Sequence, residues 1–163
     1  MKKTVFTLLT ICMAFGALAQ IDTSQKYFKS PTIPAFNIRK VPDSSSFTND
    51  LLQKNKPTML VFFDPDCDHC QLATKNITEK IDQLKDVQII MVSIYDFGKM
   101  KKFYKDYKIA KYPNIILARD GIYDLVRFYN VSAIPDVYVY DKSGKLLNHF
   151  KKDIPVDEII ALF

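Results

Sequence analysis

Apolar and polar positions follow one another along the chain in blocks that predict strands and helices in alternation. The uncharged runs TMLVFF at 58–63, VQIIMVSI at 87–94 and NIILA at 114–118 are typical of buried β-strands. After each of the first two runs, apolar residues recur at helical spacing. These positions are Leu72, Ala73, Ile77, Ile81 and Leu84 in the first helix, and Phe97, Met100, Phe103, Tyr104 and Tyr107 in the second. Strands separated by helices predict parallel pairing in a sheet that is covered on both faces.

The C-terminal part of the chain predicts a hairpin between two helices. YDLVRFYNV at 123–131 indicates a short helix. The segments DVYVYD at 136–141 and KLLNHF at 145–150 flank K-S-G, which predicts an antiparallel hairpin with Gly144 near its turn. IPVDEIIALF at 154–163 predicts a closing helix. Together these blocks predict an α/β domain in which a mixed sheet lies between helices.

The first 19 residues have the pattern of a secretory signal peptide. A basic start at Lys2 and Lys3 leads into an apolar stretch over 5–18, and Ala-Leu-Ala ends it with small residues at Ala19. The apolar stretch is shorter than the roughly 20 residues that span a bilayer, so a cleaved leader is favoured over an uncleaved anchor. Lipidation at Cys12 is a weaker alternative, because a bulky isoleucine precedes it. We therefore expect export to the periplasm.

Composition and charge limit the remaining possibilities. Residues 20–50 are polar and contain three prolines, which predicts an extended lead-in before a single domain over 51–163. With 48% hydrophobic and 25% charged residues, the chain is an ordinary globular protein that needs no disulfide scaffold. The net charge of +5 falls to +3 without the two lysines of the leader. Such mild, scattered charge argues against nucleic-acid binding.

Cys67 and Cys70 stand where a predicted strand meets a predicted helix. A disulfide that closes so short a loop adds little stability, so the pair is interpreted as chemistry. At a helix start, unpaired N–H groups and the helix dipole favour the Cys67 thiolate, which is the form that attacks a disulfide. Cys70, one turn along, lies within reach of the mixed disulfide. We predict Cys67 as the nucleophile and Cys70 as the resolving cysteine.

The two residues between the cysteines are expected to tune them in opposite directions. A protonated His69 would stabilise the Cys67 thiolate and make the disulfide more oxidising. An Asp68 carboxylate facing the sulfur would act against that effect. The alternatives are a solvated helix-start acid for Asp68 and a bystander role for His69.

A metal site is the main rival interpretation of the cysteine pair. Cys67, His69 and Cys70 supply three ligands, whereas a structural zinc site needs four, and His149 is distant in the sequence. Covalent haem attachment requires histidine directly after the second cysteine, where this chain has Gln71. We therefore expect neither a metal nor another cofactor.

Four segments of the chain form a pattern that is typical of a known family. In order along the chain, they are PTMLVFFDPDCDHC, VQIIMVSI, YNVSAIPDVYVYD and KSGKL. Together they resemble the thioredoxin superfamily, most closely its exported TlpA/ResA-like thiol–disulfide oxidoreductases, over residues 31–163. The resemblance implies a thioredoxin-like fold with a TlpA/ResA-type insertion of a helix and a strand before Pro135. In that family the matching proline is cis and packs beside the cysteines, and the preceding residue offers its backbone to substrate. A substrate groove at Ile134 and Pro135 is therefore implied.

Three positions depart from the family pattern. Relatives often carry tryptophan before the first cysteine, a buried acid on the preceding strand, or glutamate three residues after the second cysteine. Here these positions hold Asp66, Val61 and Ala73. No proton-transfer residue is inherited, and the local candidates are Asp64, Asp66 and Asp68.

The resemblance implies that the protein reduces periplasmic protein disulfides, such as those of cytochrome c apoproteins. It also implies that a membrane thiol donor returns the oxidised protein to its reduced form. The sequence leaves two further hypotheses about the function open. One is a copper- or other metal-binding module of the same fold, although such relatives space their cysteines more widely. The other is a peroxiredoxin-like thiol peroxidase, although that class usually has threonine where this chain has Asp64.

Overall fold

The computed structural model describes residues 32–163, in which seven strands form one mixed sheet. The strands are β1 Asn37–Lys40, β2 Ser46–Thr48, β3 Thr58–Phe62, β4 Gln88–Ser93, β5 Ile115–Arg119, β6 Asp136–Tyr140 and β7 Leu146–Lys151. The α-helices of this part of the chain are α1 Asp68–Glu79, α2 Phe97–Asp106, α3 Asp124–Tyr129 and α4 Val156–Ile160. Across the sheet the strand order is β2-β1-β5-β4-β3-β6-β7.

The strands pair as the alternation of strands and helices predicts. β3 is parallel to β4, and β4 is parallel to β5. β6 runs antiparallel to both β3 and β7, which confirms the hairpin expected at K-S-G. At its turn, Asp141 Oδ1 accepts the N–H of Ser143 at 2.8 Å and that of Lys145 at 2.9 Å. Gly144 takes a φ of +80° there, a conformation that glycine adopts without steric cost.

Alternate residues of β3 face two apolar cores, one on each side of the sheet. Met59 and Val61 belong to the core under α1, α2 and α4, whereas Leu60 and Phe62 belong to the core under α3. Each of the four is at most 2% exposed. A strand buried on both faces carries no polar alternation, which is why this segment of the sequence is a continuous apolar run.

The structure differs from the expected extended lead-in over 20–50, because residues 37–48 contain β1 and β2. β1 pairs with β5 and so extends the central sheet. Each short strand buries one apolar side chain, Ile38 in β1 and Phe47 in β2, and these two lie opposite each other. One apolar residue among polar neighbours has no recognisable period. The sheet therefore begins before the expected boundary at residue 51.

The first predicted helix ends earlier than its apolar spacing indicates. α1 stops at Glu79, and Ile81–Leu84 forms a separate 3₁₀ turn. Leu84 is nevertheless fully buried in the same core as α1. The helical spacing of apolar residues therefore predicted which residues are buried, but it did not predict the break between α1 and the 3₁₀ turn.

Between VQIIMVSI and Ile134 the chain forms α2, β5 and α3. The expected signal peptide over 1–19, with Cys12, lies outside the described residues. Within 32–163, none of the helices has the length and apolar character needed to cross a membrane.

Candidate active site

A turn after β3 places Cys67 at the start of α1. β3 ends at Phe62, and the chain then turns at Asp64 and Asp66. The Asp66 N–H donates to Asp64 Oδ1 at 2.8 Å, and the Cys67 N–H donates to the Asp64 carbonyl at 3.2 Å. Cys67 is the N-cap residue of α1. The strand and its turn therefore deliver one cysteine to the helix start, where backbone N–H groups lack partners within the helix.

The two cysteines lie in different surroundings. Both thiols are free, and Cys67 is partly exposed while Cys70 is only 1% exposed. The Cys70 N–H donates to Cys67 Sγ at 3.5 Å, so the Cys67 sulfur faces the first turn of the helix. Burial raises the pKa of the Cys70 thiol to about 12. Cys67 is therefore partly exposed, and Cys70 is held inside as a protonated thiol.

The polar residues around the pair separate into two groups. Those that are exposed are Asp66, Asp68 and His69. The Asp66 carboxylate is paired with Lys99, with 2.5 Å between Oδ2 and Nζ. Asp64 is half-buried, and its backbone hydrogen-bonds the buried thiol. The structure thus distinguishes acids that are equivalent by sequence spacing.

The Ile134–Pro135 loop lies beside the turn that precedes Cys67. The peptide bond between Ile134 and Pro135 is cis, Pro135 is buried, and Ile134 is 36% exposed. Ile134, Asp64 and Tyr95 line one cavity of about 220 Å³ whose other walls are mostly apolar. Two segments that are distant in the sequence therefore meet at the same site.

His149 pairs with a residue that sequence reasoning missed. Its Nε2 lies 2.5 Å from Oδ1 of Asp136, which is fully buried and directly follows Pro135. The ring of His149 stacks on Tyr138 with 4.2 Å between centroids. Among residues 32–163, His, Cys, Asp and Glu side chains form no group of three or more that could hold a metal ion. The contact between His149 and Asp136 depends on the register of β6 and β7, for which the sequence carries no local signal.

The sequence of residues 55–146, more than half of the chain, matches a family model described as thioredoxin-like. This chain belongs to the thioredoxin-like family. No curated protein is significantly similar to the chain in sequence.

Solved structures share the fold of this thioredoxin-like protein. A secreted Mycobacterium tuberculosis disulfide oxidoreductase, homologous to E. coli DsbE, aligns with a TM-score of 0.66 and 20% identity, over 78% of this chain and 92% of that one. StoA from Bacillus subtilis aligns with a TM-score of 0.60 and 15% identity, over 81% and 98%. Peroxidoxin BcpB from Mycobacterium tuberculosis aligns with a TM-score of 0.67 and 15% identity, over 80% and 92%. The predicted thioredoxin-like α/β fold is confirmed.

Proposed function

We propose that this thioredoxin-like protein is an exported thiol–disulfide oxidoreductase that reduces protein disulfides outside the cytoplasm. The main support is the placement of two free thiols at the start of one helix, with Cys67 partly exposed and Cys70 buried. An accessible thiol at a helix start can meet a substrate disulfide. A buried thiol one turn away can then attack the mixed disulfide without leaving the protein.

The proposed reaction consists of two exchange steps. The Cys67 thiolate attacks one substrate sulfur, a mixed disulfide forms, and the other substrate sulfur leaves as a thiolate. Cys70 then loses its proton and attacks the Cys67 sulfur, which releases the second substrate thiolate. The substrate gains two electrons, and Cys67 and Cys70 become a disulfide. A thiol donor in the membrane is proposed to reduce this disulfide for the next cycle.

Ile134 and Pro135 are proposed to shape the substrate groove. Support comes from the exposed apolar side chain of Ile134, at the cavity that it shares with Asp64. Asp68 and His69 are proposed to tune the redox pair through their charges, because both are exposed beside it in the chain. Membership in the TlpA/ResA group is proposed on the presence of α2 and β5 between β4 and the proline.

Replacement of the proposed nucleophile tests this function. Cys67→Ser should reduce insulin disulfides no faster than dithiothreitol alone, because the accessible thiolate is gone. Cys70→Ser should accumulate a mixed disulfide with insulin that is visible on a non-reducing gel. Glu79→Gln, at the exposed end of α1, is the matched control and should keep the wild-type rate. Wild-type activity in Cys67→Ser would exclude the proposed enzyme.

A reduction potential for the Cys67–Cys70 pair decides the direction of electron flow. A value near ~−270 mV is typical of a reductant, and a value near ~−120 mV is typical of an oxidant. Turnover of hydrogen peroxide in place of protein disulfides would favour the thiol peroxidase. Tight copper binding by the reduced protein, without disulfide reduction, would favour the metal-binding module.

A further inference from the structure

A groove between α1 and α2 begins at the turn that carries Cys67. Its volume is about 490 Å³. Pro65 and Asp66 of the turn line one part of it, and the lining continues along α1 as far as Thr78. The opposite wall comes from α2 and from the segment that follows this helix. A protein whose disulfide meets Cys67 therefore has this groove within reach.

The lining of the groove carries more positive than negative charge. Four lysines contribute to it, one from α1, two from α2 and one from the segment after α2. They are Lys75, Lys99, Lys102 and Lys108, and all four are exposed. The acids of the lining are Asp66 and Asp106. This lysine groove is therefore complementary to a ligand that carries several carboxylates.

The lysines remain available to such a ligand. Lys99 lies 2.5 Å from Asp66, measured from Nζ to Oδ2, and Lys102 is paired with an aspartate of α2. Among residues 32–163, Lys75 and Lys108 form no salt bridge. The side chains of the two pairs are 46–78% exposed, and ion pairs so exposed contribute little free energy. The paired lysines can therefore exchange their aspartates for carboxylates of a ligand.

The floor and the length of the lysine groove suit a peptide segment. Phe103 is 3% exposed, and Tyr107 stacks on it with 4.3 Å between ring centroids. An aromatic floor can pack against the apolar parts of a peptide, which an inorganic anion lacks. From Cys67 to Lys75 the helix rises by about 12 Å, a distance that about four residues of an extended chain cover.

We propose that the lysine groove binds a carboxylate-bearing segment of the protein substrate, next to the disulfide that Cys67 attacks. The inference rests on the proposed function and names the class of protein on which it acts. Asp or Glu side chains of the substrate, about four residues from its cysteine, pair with Lys75 and Lys108. The segment packs on the aromatic floor, and this contact holds the substrate disulfide at Cys67.

Peptide substrates that differ only in charge test the preference. A cyclic peptide closed by one disulfide is flanked on both sides by glutamates in one version and by glutamines in the other. At low salt, kcat/KM for reduction should be about tenfold higher for the glutamate peptide, because several exposed ion pairs each contribute modestly. The difference should lie in KM. At high salt it should disappear, because counterions screen exposed charges.

A pair of charge-reversed variants tests whether the lysine groove causes the preference. Lys75→Glu/Lys108→Glu should lower the ratio of kcat/KM for the glutamate peptide over the glutamine peptide to one or below. Lys54→Glu/Lys142→Glu is the matched control and should keep the wild-type ratio. It makes the same charge change at two exposed lysines of another cavity, which Thr58 also lines, at the opposite end of β3 from the cysteines. Equal loss in both double variants would show that net charge selects the substrate, and would overturn the inference.

Direct binding separates the lysine groove from the proposed function. A fluorescent glutamate peptide without cysteines should bind the wild-type protein but not Lys75→Glu/Lys108→Glu, as measured by anisotropy at low salt. If it binds in this way and the protein reduces neither cyclic peptide, the groove keeps its ligand and the proposed function falls. If the wild-type protein reduces both cyclic peptides with equal kcat/KM, the proposed function stands and the inference falls.

Discussion

Cys67 and Cys70 are identical side chains three positions apart, and their surroundings make them chemically different. Cys67 caps α1 at the surface, whereas Cys70 packs into the core formed with Ala73 and Ile77. The Thr74 hydroxyl donates to the Cys70 carbonyl at 2.8 Å within this buried turn. The packing of α1 therefore leaves Cys67 partly exposed and keeps Cys70 buried, with a raised pKa.

The raised pKa of Cys70 predicts a loss of stability at alkaline pH. The folded reduced protein favours the protonated thiol, since burial raises its pKa from 9.0 to about 12. This contribution to the free energy of unfolding is complete below pH 9.0 and declines as the pH rises toward 12. Urea unfolding of the reduced protein between pH 8 and pH 11 should show a steeper decline for wild type than for Cys70→Ala. Parallel pH dependence in the two proteins would contradict the prediction.

At the scale of elements, α1 connects the site to the main core. Its first residues carry the cysteine pair, and its buried face presents Ala73 and Ile77 to the sheet. Near its end, Lys80 Nζ lies 2.5 Å from Asp157 Oδ1 of α4. This ion pair is largely solvated and contributes little to the free energy of unfolding. Apolar packing therefore holds the helix in place.

Truncation of the buried face should test that packing. Ile77 is 0% exposed, and Ile77→Ala should lower the free energy of unfolding by about 2–5 kcal/mol because it removes buried methyl groups and leaves a cavity. Lys75→Ala, on the exposed face of the same helix, should change it by less than about 0.5 kcal/mol. Urea denaturation of both variants provides the measurement. Equal effects would show that the helix is not anchored through Ile77.

At the scale of the whole molecule, the β1–β2 pair completes the sheet beyond β5. Phe36, Ile38 and Phe47 are each at most 6% exposed and belong to the core under α3. The rings of Phe36 and Phe47 lie in contact, with 5.8 Å between centroids. The N-terminal segment therefore supplies part of the core, in addition to its position at the sheet edge.

Deletion of residues 1–50 should destabilise the whole domain. Loss of the four buried apolar side chains of this segment, Phe36, Ile38, Val41 and Phe47, removes roughly 6–12 kcal/mol of burial free energy, at about 1.5–3 kcal/mol each. This is comparable with the roughly 5–15 kcal/mol that stabilises a typical domain. We expect a melting temperature far below that of a deletion of residues 1–31, which leaves every described strand intact. Closely similar melting curves would show that residues 51–163 form an independent domain.

The sequence by itself determined the central strands, the hairpin and the cysteine pair. TMLVFF and VQIIMVSI are buried on both faces of the sheet, so no charged residue interrupts them, and the C-x-x-C motif follows the first of these strands directly. These features are local, and their signal lies within a few consecutive residues.

Only the tertiary structure decided which distant residues meet. Asp64, Asp66 and Asp68 are equivalent by spacing, but the turn leaves Asp64 half-buried and the other two in solvent. His149 reaches Asp136 only through the register of β6 and β7. Likewise, β1 becomes a strand because β5 offers it an open edge. Each of these contacts depends on the packed sheet, because it joins groups whose positions no local pattern specifies.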